Sequence, residues 1–268
     1  MSYIPEFLVI PLLVAFISAI SLSIVSVFVV LNRWGFLAVG VSHGAFFGVT
    51  CGVLLNFSPF LLGVLSGFLL VLSVSIMKRE LKGEEDVIIG FLFPLFMALG
   101  IIVFSIGKIG YIDAFSYLFG SIFLIDESFL LWSIVVFLIT ILFVAVKWRE
   151  IFLWVMNEEM ATSLGVNSSL IYLSLLLVTT MNTVLAMKTL GAILVSAFAV
   201  MPGLFAVMVS RSIYGLFLSS IIYAFITFSV GILVAFYLDL PTGPVITVAG
   251  FLVLLLFSLG IKFKDRRM

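Results

Sequence analysis

Charge is scarce in this chain. Asp, Glu, Lys and Arg together make up 10% of its 268 residues, where an ordinary soluble domain carries about 25%. With 64% hydrophobic residues and a mean hydropathy of +1.43, too few polar groups remain to cover a globule in water. A water-soluble protein is excluded, and the solvent is lipid. Thirteen basic residues balance thirteen acidic ones, and no basic run is long enough to form a phosphate-binding face, so no nucleic-acid partner is expected. Cysteine occurs once, as Cys51; a single thiol closes no internal disulfide and forms no thiolate cluster alone, and it reads as a small packing residue. Histidine also occurs once, as His43. No His-Glu-x-x-His site can therefore form, and without paired acids inside the apolar runs the chain is not expected to be a membrane enzyme. A Gly-x4-Gly-Lys-Ser/Thr phosphate loop is missing as well, so ATP-driven work would need another chain to hydrolyse the nucleotide.

Long apolar runs are abundant. Residues 7–31 exceed the roughly 20 helical residues needed to cross the hydrocarbon layer. Residues 1–6 carry no Lys or Arg, so this run reads as a retained anchor rather than a cleaved leader. Polar residues, Gly and Pro divide the remainder into stretches near 36–55, 57–77, 87–107, 129–146, 169–187, 190–209, 213–237 and 245–261. The pairs meeting near Asn56 and Lys188 are joined tightly enough for one member to be a half-helix or re-entrant, and about eight to ten membrane segments are predicted. The stretches are apolar all round rather than alternating, which selects helices over barrel strands. The fold class is all-α, a polytopic helical membrane bundle forming one domain over residues 1–268, since no loop exceeds about 25 residues and none can build its own core.

Placing the tail with Lys262, Lys264, Arg266 and Arg267 in the cytoplasm, and alternating backwards, puts Arg211, Lys147, Arg149, Lys78, Arg79, Lys82 and Arg33 on the same side. Only Lys108 and Lys188 fall outside, the asymmetry that sets orientation. The carboxylates all sit in loops or at span ends. Proton- or sodium-coupled carriers usually bury acids on their ion path, so a secondary transporter is disfavoured.

The second apolar stretch holds the densest signal. Gly40, Gly44, Gly48 and Gly52 recur every fourth residue and predict a groove in which another helix packs closely. His43 lies about two turns into this stretch. An intramembrane imidazole faces the protein interior or a wet cavity, either hydrogen-bonded to a neighbouring helix or acting as a ligand for zinc, manganese or iron. Farther on, Asn157-Glu158-Glu159-Met160-Ala161 followed by Leu164-Gly165 predicts a short cytoplasmic helix with Asn157 at its start, Ala161 and Leu164 on one face and Gly165 as its stop. It reads as either a solvated interfacial helix or a surface for a cytoplasmic partner. Pro202-Gly203, with Arg211 marking the inner face, is a second candidate contact.

Several segments resemble the membrane permease subunit of ABC transporters that import zinc, manganese or iron. Ser42-His43-Gly44-Ala45-Phe46-Phe47-Gly48 is similar to that family's Ser-His segment ending in glycine, and Glu85-Asp86-Val87-Ile88-Ile89-Gly90 to its Glu-Asp-x-x-Ile-Gly stretch. Asp113 to Ser121 resembles its outer Asp-x-x-Ser-Tyr-Leu-Phe-Gly segment, and Glu159-Met160-Ala161 with Leu164-Gly165 its Glu-x-Ala-x-x-x-Gly signature. Lys188 to Pro202 and Asp239 to Pro244 match two further pieces, in the right order. The resemblance implies a homodimeric permease with two cytoplasmic ABC ATPase subunits and an extracytoplasmic metal-binding protein, set in the lipid of the plasma or inner membrane with the C-terminus inside. It implies no permanently bound cofactor, since the divalent metal ion is the transported substrate. His43 would contact metal on a pathway opened by alternating access. Glu158, Glu159, Ala161, Gly165, Pro202 and Arg211 would couple to the ATPase. Where the family often has Asp four residues before this histidine, the chain has Val39, which removes a hard oxygen ligand. The alternative is a metal channel or ion-coupled carrier working without ATP.

Overall fold

The computed structural model describes residues 6–81, 84–107, 120, 125 and 127–265. Lys82, Lys108, Asp113, Arg266 and Arg267 lie outside the described residues. All regular elements among those described are helices: α1 (Glu6–Leu31), α2 (Gly35–Leu54), α3 (Pro59–Leu81), α4 (Glu85–Ile106), α5 (Glu127–Val146), α6 (Trp148–Met156), α7 (Glu158–Ser163), α8 (Ser168–Phe198), α9 (Met201–Val209), α10 (Ile213–Leu238) and α11 (Thr242–Asp265). Among the described residues eight helical segments are long and apolar enough to cross a membrane, α8 and α9 counting together as the 42-residue stretch Ser168–Val209.

The two tight junctions resolve differently. At Asn56, which takes a left-handed φ of 50°, α2 and α3 are both full-length and simply antiparallel. The Lys188 junction is a hairpin inside one apolar stretch. Gly63 and Gly67 of α3 lie against Val184 and Thr180, and Ser75 Oγ is 3.2 Å from Tyr172 Oη, so the first arm of α8 runs antiparallel to α3. Beyond Gly191 (φ 78°, ψ 154°), Ser196 meets Ser42 and Val200 meets Gly35, so the second arm runs antiparallel to α2. Because α2 and α3 are themselves antiparallel, the chain has reversed at Gly191. A positive φ with an extended ψ is open to glycine at little cost and leaves the helix in a new direction. The return arm breaks again at Ala199–Val200, where Pro202 opens α9 in its first turn, a position that wastes no N–H.

The same contacts collect the basic positions at one end of the bundle. Trp34, next to Arg33, packs on Trp154 and Tyr172 with ring centroids 6.0 and 5.6 Å apart. Trp148, next to Lys147, stacks on Tyr214 at 5.4 Å, beside Arg211. Lys78 pairs with Glu85 at 2.7 Å, closing the turn from α3 to α4. At the opposite end, Lys188 Nζ sits 4.5 Å from the Phe129 ring centroid, and Gly120 (φ 79°) abuts Leu190 and Gly191 so closely that a Cβ there would fall 2.6 Å from a backbone carbon.

Candidate functional site on the second helix

The glycines of α2 face its neighbours at very different ranges. A Cβ built on Gly48 would lie 1.9 Å from Leu62 O, and one on Gly52 would lie 2.6 Å from Pro59 Cα, so at these levels backbone meets backbone. Gly44 and Gly40 instead meet the side-chain ends of Leu70 and Ile89. Across this seam Ser66 Oγ donates to Gly44 O at 2.8 Å. Close approach and an interhelical hydrogen bond are what hold helices together where lipid gives no hydrophobic drive.

Packing on three sides leaves α2 a narrow free edge. Between Leu37 and Gly52 every residue is buried except Val39, His43, Phe47 and Cys51, four positions spaced by four that form one line up the helix. Two rings of α4 flank it: Phe93 stands edge-on to the His43 imidazole with centroids 5.5 Å apart, and Phe96 to Phe47 at 6.0 Å. The glycine line and the histidine line are thus neighbouring faces of one helix, one buried and one open.

His43 Nδ1 lies 3.0 Å from Val39 O and 3.1 Å from Ser42 Oγ. A carbonyl oxygen can only accept, so Nδ1 carries the proton and donates to it; the other tautomer would set two lone pairs against each other. In the neutral ring Nε2 then carries the lone pair, and it has no hydrogen-bond partner among the described residues. An imidazole pinned through Nδ1 with a free Nε2 lone pair is the arrangement that ligates a metal. Among the described residues no three His, Cys, Asp or Glu side chains cluster. The polar company of the imidazole is two hydroxyls: Ser42, fully buried, and Ser196 of the return arm, whose Oγ is 3.2 Å from Ser42 Oγ. Nothing in the sequence pointed to Ser196, because the pairing joins residues 154 apart.

The loop between α5 and α8 forms a second feature. Asn157 Oδ1 accepts from Met160 N at 2.9 Å, capping the single turn of α7, and Gly165 ends it with φ 84°. Glu158 and Glu159 are exposed while Ala161 is completely buried. Leu164, expected on the same face as Ala161, is 56% exposed, because it is already the C-cap and its side chain leaves the helical register. Before α7 stands α6, which the sequence reading did not separate; Ile151 and Trp154 are buried on one face and Met156 is exposed. Arg211 is exposed at the same end, close to α6 through the Trp148–Tyr214 stack. Pro202 is not part of that surface, being buried with Gly203, whose backbone sits against Ser26 O of α1.

Known proteins show the same architecture. The chain is 31% identical over 229 residues to a Thermotoga maritima protein described as a probable metal transport system membrane protein, covering 85% of this chain and 80% of that one. It is 26% identical to a manganese transport system membrane protein of Synechocystis, over 91% of this chain and 79% of the relative. Its fold is that of a solved complex, PsaBC from Streptococcus pneumoniae with a Fab, at a TM-score of 0.87 and 22% identity, covering 94% of this chain and 90% of that one. The profile of the ABC 3 transport family matches residues 5–261. Spanning nearly the whole length and agreeing in fold, these likenesses place the chain in the ABC 3 transport family as one of its membrane permeases.

Proposed function

We propose that this chain is the permease subunit of an ATP-driven importer of divalent metal, with zinc or manganese favoured over iron, and that its 268 residues act as a single transmembrane permease domain. The observation that carries the reading is the open edge of α2. A half-exposed imidazole in mid-membrane is costly against lipid, so the Val39–His43–Phe47–Cys51 line faces a second copy of the chain across a shared pathway. Metal passes along it, meeting Nε2 of His43 as a ligand. One imidazole with hydroxyl neighbours holds a divalent ion weakly, and weak holding suits a site that must release its ion every cycle.

The basic end is the cytoplasmic one under this reading. There Glu158, Glu159, Gly165 and Arg211 form the surface on which two ABC ATPase subunits dock, with Ala161 buried beneath it anchoring α7 and Pro202 buried behind it, at the start of the helix leading to Arg211. ATP hydrolysis belongs to those partners, and an extracytoplasmic binding protein delivers metal to the opposite end. No cofactor stays bound; the metal is cargo. Nucleotide-driven movement of α6 and α7 tilts the helices around His43 and alternates access, and ATP biases the cycle through contacts that differ between the two states.

The test is uptake of radiolabelled zinc and manganese into vesicles holding this chain with its ATPase and binding protein. Wild type takes up metal only with ATP, and His43→Ala abolishes uptake with the complex still assembled. Uptake that persists with a hydrolysis-dead ATPase would instead identify a channel or ion-coupled carrier, and uptake unaffected by His43→Ala would move the site elsewhere.

A further inference from the structure

We infer that Ser196 is a positioning residue for His43: through Ser42 it controls how firmly the imidazole is held, so that the return arm of α8 acts as an affinity switch for the metal. This rests on the reading of His43 as a metal ligand.

Three protons and four acceptors meet here. Ser196 Oγ donates to Ala192 O at 2.7 Å. Ser42 has one proton and two acceptors within reach, Val39 O at 2.8 Å and Ser196 Oγ at 3.2 Å. His43 Nδ1–H has Val39 O at 3.0 Å and Ser42 Oγ at 3.1 Å. Val39 O is therefore contested. Ser42 donates over the shorter distance to Val39 O, and while Ser196 stays close its oxygen draws on the same proton from 3.2 Å, partly relieving Val39 O for the imidazole N–H. The firmer hold on Nδ1–H strengthens Nε2 as a ligand. When Ser196 withdraws, the Ser42 proton goes wholly to Val39 O and competes with the imidazole for it. Ligation weakens without any change in the ligand itself.

The arm that carries Ser196 is set off by two backbone breaks. It is the seven-residue piece 192–198, bounded by the Gly191 reversal on one side and by the Ala199–Val200 break on the other. It runs through α9 toward the exposed Arg211 and Ser212 at the basic end, where Trp148 of α6 stacks on Tyr214. Leu194, Val195 and Phe198 hold it in the core, so a small displacement of the arm is read at α2 by the long Ser42–Ser196 hydroxyl pair, 3.2 Å apart.

Since His43 is the chain's one histidine, histidine-selective ¹⁵N labelling of the full chain in lipid nanodiscs, with a histidine-free tag, gives one pair of ring signals. The wild type is expected to show a protonated Nδ1 and an Nε2 signal that shifts on adding Zn²⁺. Ser196→Ala should move the Nδ1 signal and raise the Zn²⁺ concentration for half-maximal Nε2 shift by about tenfold, the lower end of the effect of removing outer partners of a metal-binding histidine. Ser196→Thr, which keeps the hydroxyl, should restore both. If Ser196→Ala leaves the Nδ1 signal and the Zn²⁺ midpoint where they were, the positioning role is wrong while His43 remains a ligand. Should Nε2 not respond to Zn²⁺ in the wild type, the ligand reading itself fails. A lowered melting temperature in Ser196→Ala with unchanged ring signals would mark Ser196 as a packing residue only, and also overturns the inference.

Discussion

Gly48→Ala is the sharpest perturbation of the α2–α3 seam. The added methyl would sit 1.9 Å from Leu62 O and 2.5 Å from Leu62 C, both backbone atoms of a helix that cannot turn aside. Real Cβ atoms essentially never approach closer than 3.0 Å, so α2 and α3 must separate locally by at least about 1 Å. One turn away, the 2.8 Å bond from Ser66 Oγ to Gly44 O is carried out of range by a shift of that size. Overpacking of this kind costs roughly 1–3 kcal/mol, and the lost interhelical bond adds about 0.6 kcal/mol. The gain in helix propensity from Gly to Ala returns up to about 1 kcal/mol, leaving a net loss of about 1–3 kcal/mol.

Gly40→Ala is the internal control. Its methyl would lie 2.9 Å from Ile89 Cγ2, 3.7 Å from Leu70 Cδ2 and 3.9 Å from Phe93 Cβ, side-chain atoms rather than backbone, so the strain is smaller than at Gly48 and the propensity gain offsets much of it. The assay is thermal unfolding of each purified variant in the same detergent, followed by tryptophan fluorescence. Gly48→Ala should melt clearly below wild type and Gly40→Ala close to it. Equal melting of the two would refute the reasoning, since it would mean that a clash with backbone costs no more than one with a side-chain methyl.

Two further outcomes follow from the proposed function. Glu159→Arg, at an exposed position on the surface assigned to the ATPase, should abolish ATP-driven uptake while leaving the chain folded and inserted; normal uptake by that variant would remove the coupling assignment. Cys51, two turns beyond His43 on the open edge of α2, should react with a membrane-impermeant cationic thiol reagent in at least one nucleotide state of the complex. If a water-exposed control cysteine labels and Cys51 never does, that edge does not line an aqueous pathway.

Much of the architecture was legible because lipid simplifies the code. A span must be about 20 apolar residues whatever its neighbours are, so the stretches and the shared end of Arg33, Lys78, Lys147 and Arg211 could be read from local composition and charge. The turn of α7 was legible for a different reason: Asn157 and Gly165 are cap residues whose hydrogen bonds are made within a few positions of themselves. The reversal near Lys188 was legible as the break between stretches 169–187 and 190–209, but not that Gly191 is the residue that makes it. A glycine in an apolar run looks the same whether it packs, as Gly48 does, or turns the chain, and only the antiparallel contacts with α2 and α3 distinguish the two. Helix α6 escaped for a related reason, since Lys147 interrupts the apolar run without any proline or glycine to mark a new start. The site was half visible. A lone intramembrane histidine announces itself by cost, but its hydroxyl partner Ser196 lies beyond the reversal, and no local pattern reports a contact over 154 positions.

The link between the loop assigned to the ATPase and the site around His43 is aromatic before it is polar. Trp154 of α6 packs between Trp34 and Tyr172, with centroids 6.0 and 6.1 Å away, and Trp34 is the residue on which α2 begins. His43 stands nine residues farther on, about 13 Å along the axis, on a helix clamped to α3 by glycine contacts with little slack. A close-packed ring cluster transmits a push because it cannot be compressed, and a helix held backbone to backbone passes it on rather than bending.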